Sequence, residues 1–327
     1  MSQRTKSPHH TLKDQLSAAM QKEPELTTQP AKTPYKEPSL SQERHLSLLE
    51  SRGLVVPDKQ RALHYLTFIG YFRLSGYASR FRKNSSDDFI SGTTFDDVFN
   101  LYKFDRKLRI LILDVIKRVE IATRTVISNH MSNKYGPHWF MDASLFINEE
   151  KHESILSDIK KCIDKNSRES LIENYYLKHC SPEFPPSWIL CEVTTFGLWS
   201  KIFSYLKNKE DKNEISQFFN QKSQVIESFL HCLTSLRNTC AHHGRVWDRI
   251  FGVKPIKHKR YPEIFIRNDR LYAQLAVLNL LTNVIASGSS WKERLDRLFS
   301  SNPSLRLSLM GFPDGWKDLP FWGTGKA

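Results

Sequence analysis

The sequence predicts an all-α protein. Three observations carry that prediction: a long amphipathic pattern between about Phe95 and Met131, several shorter segments with apolar residues at helical spacing, and no period-two alternation sustained enough to demand a sheet. An apolar fraction of 39%, including 12% aromatic residues, across 327 positions supplies a substantial core.

The elements follow in chain order. Residues 1 to about 38 are rich in Lys, Pro, Thr, Ser and Gln and read as a disordered tail, where His9 and His10 stand without further ligands. Residues 39–92 read as an N-terminal helical segment. Leu46 and Leu49 lead to Arg52-Gly53, where glycine suits a helix C-cap, and Pro57-Asp58 opens a second run with Ala62, Leu63, Leu66 and Ile69 before Gly70. This pair also fits a DNA-reading helix-turn-helix, although most such pairs are plain packing units.

Residues 93–290 form the predicted main bundle. Thr94 and Asp97 have the spacing of a capping box at the start of the long helix. Val98, Phe99, Leu108, Leu111, Ile112, Val115, Val119 and Val126 make a wide apolar stripe, and the interleaved Arg106, Lys107, Arg109, Lys117, Arg118 and Arg124 read as a basic surface. Tyr135-Gly136-Pro137 ends it. Residues 149–180 read as amphipathic helix and 188–206 as an apolar helix bent near Gly197, followed by a lysine-rich turn at 207–212. A helix over about 224–243, a basic loop over 253–262 and a buried helix over 271–286 complete the bundle. Residues 291–327 read as a C-terminal helical cover in which Phe312, Trp316 and Trp322 close over the core.

Composition narrows the partners. Forty-eight Lys and Arg against 35 Asp and Glu give a formal charge of +13, which favours a polyanion because neutralised phosphates release condensed counterions. Five cysteines without C-x-x-C or zinc-finger spacing read as reduced thiols of a cytoplasmic protein. The opening residues lack a signal-peptide core, and the longest apolar stretch is interrupted by Gln274, Asn279 and Asn283, so no membrane association is expected.

Chemistry concentrates in Ser235 to Arg245, where an Arg, an Asn and two His crowd the end of an otherwise apolar helix. At about 100° per residue, Asn238 and His242 share one face, while Arg237 lies about 140° round from His242. These residue types suit metal-independent RNA cleavage. Histidine can take the 2′-OH proton or protonate the leaving oxygen near neutral pH, and a guanidinium can hold the phosphate as charge develops. Asparagine can donate to a phosphate oxygen or fix the imidazole tautomer. No P-loop, G-x-S-x-G, G-x-G-x-x-G or acidic metal cluster competes with this reading, and no cofactor or metal is expected. The alternative is structural: His242, His243 and Arg245 would stabilise a helix C-terminus and do no more.

The block R-N-T-C-A-H, Arg237 to His242, resembles the R-N-x-x-x-H signature of HEPN ribonucleases. The wider sequence resembles the Abi-like (AbiD/AbiF-type abortive infection) family of bacterial phage-resistance proteins. The matching segments are G-L-V-V (53–56), I-G-Y-F-R-L-S-G-Y (69–77), F-D-R-K-L-R (104–109), R-V-E-I-A-T-R (118–124), P-S-W (186–188), T-F-G (195–197) and M-G-F-P (310–313), spread over about residues 42 to 322. The resemblance implies a HEPN-type helical bundle acting as a homodimer, with each protomer supplying Arg and His to a shared RNA-cleaving groove. It implies that Arg237 polarises the phosphate, His242 is the acid/base and Asn238 orients them. His243 remains the alternative acid/base. Glu120 and Arg124 are possible catalytic or supporting residues. Arg124 to His130 has a loosely similar spacing that would make a second catalytic pair, although it lacks the following Asn and lies amid core residues. The family is also thought to associate with a structured noncoding RNA.

Candidate RNA contacts are Arg245, the loop residues Lys254, Lys257, Lys259 and Arg260, and Arg73 and Arg80 of the aromatic-basic run that starts at Tyr71. The aromatics of that run also fit a packed turn between helices. Three functions therefore stand: an endoribonuclease of phage defence, toxic when released; a catalytically silent RNA-binding module; and a helical interaction protein.

Overall fold

Thr94 begins the element that organises the molecule. Its side chain accepts the Asp97 N–H, and the Asp97 carboxylate accepts the Thr94 N–H, closing the predicted capping box. The structure, a computed structural model, describes residues 39–84, 86–319, 321 and 322. The predicted tail lies outside the described residues.

Twelve α-helices and no strand occur among the described residues, so the all-α prediction holds. In order they are α1 (Gln42–Ser51), α2 (Lys59–Ile69), α3 (Tyr71–Ala78), α4 (Phe95–Tyr135), α5 (Glu149–Lys165), α6 (Ser170–Lys178), α7 (Ser187–Val193), α8 (Phe196–Tyr205), α9 (Lys209–Gln217), α10 (Ser223–Ala241), α11 (Leu271–Ile285) and α12 (Trp291–Ser300). Helix α4 is 41 residues long, about 60 Å, and ends at Gly136, whose φ of 90° suits glycine. Its stripe (Phe104, Leu108, Ile112, Val115, Ile116, Val119 and Ile127) is buried, and α3 and α7 to α12 pack around it. Truncating Phe104 to alanine in such surroundings costs about 3–5 kcal/mol.

Local chemistry explains where the structure departs from the predicted elements. The 149–180 stretch splits because Asn166 caps α5, its Nδ2 donating to the Cys162 and Val193 carbonyls. The 188–206 stretch splits at Thr194-Thr195, ahead of Gly197. Thr194 Oγ1 bonds back to the Leu190 carbonyl, and Thr195 caps α8 by accepting the Leu198 N–H. The lysine-rich turn is the start of α9, capped by Asn208. The segment after Gly70 is a helix of its own, α3.

Helix α11 is buried nearly all round, as expected. Its polar Gln274 donates to the Val253 carbonyl and accepts from the Cys232 thiol. Asn279 donates to the Phe321 carbonyl, while its Oδ1 stays buried without a partner among the described residues. Among the described residues, no helix is long and apolar enough to cross a membrane. Phe312, Trp316 and Trp322 are buried with Tyr272, Trp291 and Phe299 in an aromatic cluster.

Candidate active site

Helix α10 buries Ile226, Phe229, Leu230, Leu233, Leu236 and Cys240 against α4, α8, α9 and α11. That burial aims its last turn outward. His242 is the C-cap, with its N–H on the Asn238 carbonyl. His243 follows at φ 59°, its N–H on the Cys240 carbonyl, and the Gly244 N–H reaches the Thr239 carbonyl at 2.8 Å. This is the Schellman pattern, with histidine where glycine is the usual residue. A left-handed non-glycine residue costs about 1–2 kcal/mol. Gly244 cannot be enlarged freely, since an added Cβ would meet the Thr239 oxygen at 3.0 Å.

Asn238, His242 and His243 are exposed, and neither imidazole has a side-chain partner among the described residues. Arg73 donates through Nη1 to the His243 carbonyl at 2.9 Å, fixing the strained residue's backbone rather than its ring. The Arg237 side chain is 36% exposed and turns toward α4, its Nε 3.7 Å from Glu120 Oε2. Its Nη1 lies 3.5 Å from Asn238 Oδ1, at the outer limit of a hydrogen bond. Glu120, 9% exposed at its side chain, also pairs with Arg124, and Arg124 Nη1 donates to the Cys191 carbonyl at 2.9 Å. The chain of contacts therefore runs from α7 through Arg124 and Glu120 to Arg237. Two guanidiniums share one carboxylate, which leaves net positive charge beside the exposed Asn238 and His242 and suits an anionic ligand.

A buried network holds the strap that follows. Asp105 is fully buried. It accepts the Tyr77 hydroxyl at 2.7 Å and the Val246 and Trp247 N–H groups at 3.2 and 2.7 Å, and it pairs with Arg109. Burial pushes its pKa up, against the opposing pull of Tyr77, Arg109 and the two amides. Arg109, read from sequence as part of the basic surface, is only 3% exposed. Its spacing from Asp105, four residues along α4, lets the two satisfy each other inside the stripe. Arg124 is likewise drawn inward by Glu120.

The predicted RNA-contact residues fall into three places. Arg245 Nη1 donates to the Gly76 carbonyl, tying the strap to α3. Within α3, Tyr77 is buried and Tyr71 stacks on His45 at 4.2 Å, while Phe72 is 80% exposed beside Arg73. The packed-turn reading thus covers Tyr71 and Tyr77 but not Phe72. Arg80 lines a cleft with Trp247. Lys254, Lys257, Lys259 and Arg260 are exposed on a loop held to the start of α10 and the turn before it, where the Ile256 N–H meets Ser228 Oγ at 2.8 Å and His258 meets Gln221 at 3.0 Å. Ser228 is about 20 Å along the helix from His242, so this loop and the motif are separate features.

The structure does not bring Arg124 and His130 together. Six residues apart, they sit about 9 Å and 120° apart on α4, and His130 faces Glu214 and Asp211 at 3.3 and 3.4 Å. His130, Asp211 and Glu214 hold potential ligand atoms within 4.8 Å of one another, a grouping the sequence reading missed. The Lys134 ammonium lies 2.6 Å from Asp211 Oδ1 and already supplies the positive charge there.

The fold and site define a helical protein with an exposed Arg-Asn-His group at a helix end. The chain matches the family described as Abi-like protein over residues 64–248, more than half of its length, and belongs to that family. No significant match was found among curated proteins or solved structures.

Sequence reasoning missed Asp105, Tyr77 and the Cys191 carbonyl as supports of the site. One signal for Asp105 was present: Leu101 and Leu108, four before and three after it, put it inside the apolar stripe.

Proposed function

We propose that this chain is a metal-independent endoribonuclease of the HEPN kind, acting in a bacterial abortive-infection defence against phage. The observation that carries the reading is an accessible, unpartnered His242 on the same helix end as Arg237, which Glu120 holds from α4. In the proposed reaction His242 takes the proton of the ribose 2′-OH and the oxygen attacks the adjacent phosphorus. The bond from phosphorus to the 5′-oxygen breaks as that oxygen takes a proton from the protonated His242 of the second copy. A 2′,3′-cyclic phosphate remains. Arg237 neutralises the equatorial oxygens as charge builds, and Asn238 donates to one of them. Glu120 acts as a positioning residue, since its near-buried carboxylate restricts Arg237 without neutralising the site.

The reaction needs both a base and an acid, and the motif, present once per chain, offers one such imidazole, so the two roles call for a second copy. We therefore read the active form as a homodimer whose two motifs face a shared groove. The exposed Ile121, next to Glu120 on α4, supports a pairing surface there. The charge of +13 and the exposed lysines of the 254–260 loop suit an RNA target and a structured RNA partner.

The test is cleavage of total cellular RNA by purified protein, comparing wild type with Arg237→Ala, His242→Ala and Glu120→Gln. The reading expects near-complete loss in the first two and a partial loss in the third. Equal activity in all four proteins refutes it, and inert proteins that still bind RNA reassign the chain to an RNA-binding module.

A further inference from the structure

A concave site lies at the far end of the strap that leaves the motif. It is a cleft of about 460 Å³, within the roughly 300–1,000 Å³ range of small-molecule sites. Three arginines line it, Arg80, Arg82 and Arg306, against one carboxylate, Asp97. Asp97 is already committed to the cap of α4, accepting the Thr94 N–H and hydroxyl at 2.8 and 2.7 Å. Arg82 is balanced by Asp87 at 2.8 Å, yet its Nε is buried without a partner. Arg80 and Arg306 have no side-chain partner among the described residues. Asn84 and Asn100 add amide groups, Asn302 adds its side-chain oxygen, its Nδ2 being on the Leu298 carbonyl at 2.9 Å, and Trp247 forms part of the wall. Trp247 is 3% exposed, and its Nε1 is a second buried donor without an acceptor. Unpaired donors and unpaired cations around one cavity are a deficit of acceptors that an anion corrects.

We infer that this cleft binds a nucleotide through its phosphate, with Arg80 and Arg306 on the phosphate and the asparagine amides against the base. Phosphate alone leaves most of the volume unfilled, whereas a nucleotide supplies both the acceptors and a planar group for the apolar part of the wall. The same chemistry is offered by a free nucleotide or by the end of an RNA chain. The site stands apart from the RNA-cleavage reading, because none of Arg237, Asn238 and His242 lines it. It is joined to them by structure: residues 243–247 run from the motif to Trp247, anchored by Arg73, by Gly76 and by Asp105.

The experiment is calorimetric titration of the full-length protein with adenosine, AMP, GMP, ATP, inorganic phosphate and an oligoribonucleotide with or without a 5′-phosphate. Phosphorylated nucleotides should bind and adenosine should not. Arg80→Ala and Arg306→Ala should each weaken binding about tenfold or more, the usual scale for a charged hydrogen bond. Lys160→Ala, at an exposed lysine of α5 outside both sites, should bind as wild type does. Both arginines are at least partly exposed and unpaired, so the variants should melt with the wild-type protein. Binding of mononucleotides assigns the cleft to a free ligand, and binding of the 5′-phosphorylated oligonucleotide alone assigns it to an RNA end. No binding by any phosphorylated probe, or equal binding by the Arg80→Ala and Arg306→Ala proteins, overturns the inference.

Discussion

Replacing Asp105 by asparagine keeps the shape of the side chain and removes its charge at the centre of the bundle. The carboxylate serves four donors: the Tyr77 hydroxyl, the Arg109 guanidinium and the Val246 and Trp247 amides. Asparagine can keep the two amides on its oxygen, but its nitrogen would then turn donors toward Tyr77 and Arg109. Arg109, almost fully buried, would lose its counter-charge. Removing one partner of a buried pair costs about 3–5 kcal/mol. For a chain of this size that lowers the melting temperature on the order of 10 °C. Circular dichroism during heating and urea titration measures the change. A double variant, Asp105→Asn with Arg109→Met, should lose less than the two single changes combined, because no stranded charge remains. A loss below about 1 kcal/mol for Asp105→Asn, or strict additivity in the double variant, would show that the pair does not hold the strap as argued.

Further outcomes follow from the same geometry. His243→Gly should leave stability unchanged or raise it by up to about 1 kcal/mol, as relief of the left-handed residue offsets glycine's unfolded-state entropy. It should also preserve RNA cleavage if His242 is the acid/base, and a melting curve beside a cleavage assay reads both. Native alkylation at mildly alkaline pH should modify exposed Cys180 first and spare Cys191 and Cys240, whose thiols burial pushes up to about 11 and about 12; mass spectrometry of the labelled peptides decides it. Neutralising Lys254, Lys257, Lys259 and Arg260 should flatten the dependence of RNA affinity on salt by about 0.7 in the logarithmic slope for each phosphate that the loop had neutralised. An unchanged slope would remove the loop from the RNA surface.

The parts of the fold that were legible in the sequence are those with local causes. Helix α4 announces itself through the Thr94-Asp97 box and a stripe that continues along its whole length, and α11 through its largely apolar run. Helix α3 was hidden because it buries only Leu74, Tyr77 and Ala78 and follows directly on Gly70. At the candidate site, Arg237, Asn238 and His242 could be singled out because an apolar helix ends in polar groups. Glu120 and Arg124 could be named as possible supports from their spacing along α4, but the contact of Glu120 with Arg237 arises only through the packing of α4 on α10 and is not written in either helix alone. The cleft is less legible still, since it draws on residues within 80–84, 97–101 and 302–309, with Ile90 and Trp247, from separate segments. Asp105 and Arg109 show how a polar pair inside an apolar stripe can pass for surface when each residue is read alone.

The measurement closest to the central claim is the chemistry of the RNA ends produced in EDTA. Mass spectrometry of a defined oligoribonucleotide after incubation with wild-type protein should find 2′,3′-cyclic phosphate and 5′-hydroxyl ends. A 2′-deoxy substitution at the cleaved position should block the cut, and Arg237→Ala and His242→Ala should make none. Cuts that leave 3′-hydroxyl and 5′-phosphate ends, or activity that disappears with EDTA and returns with a divalent cation, would contradict the proposed mechanism.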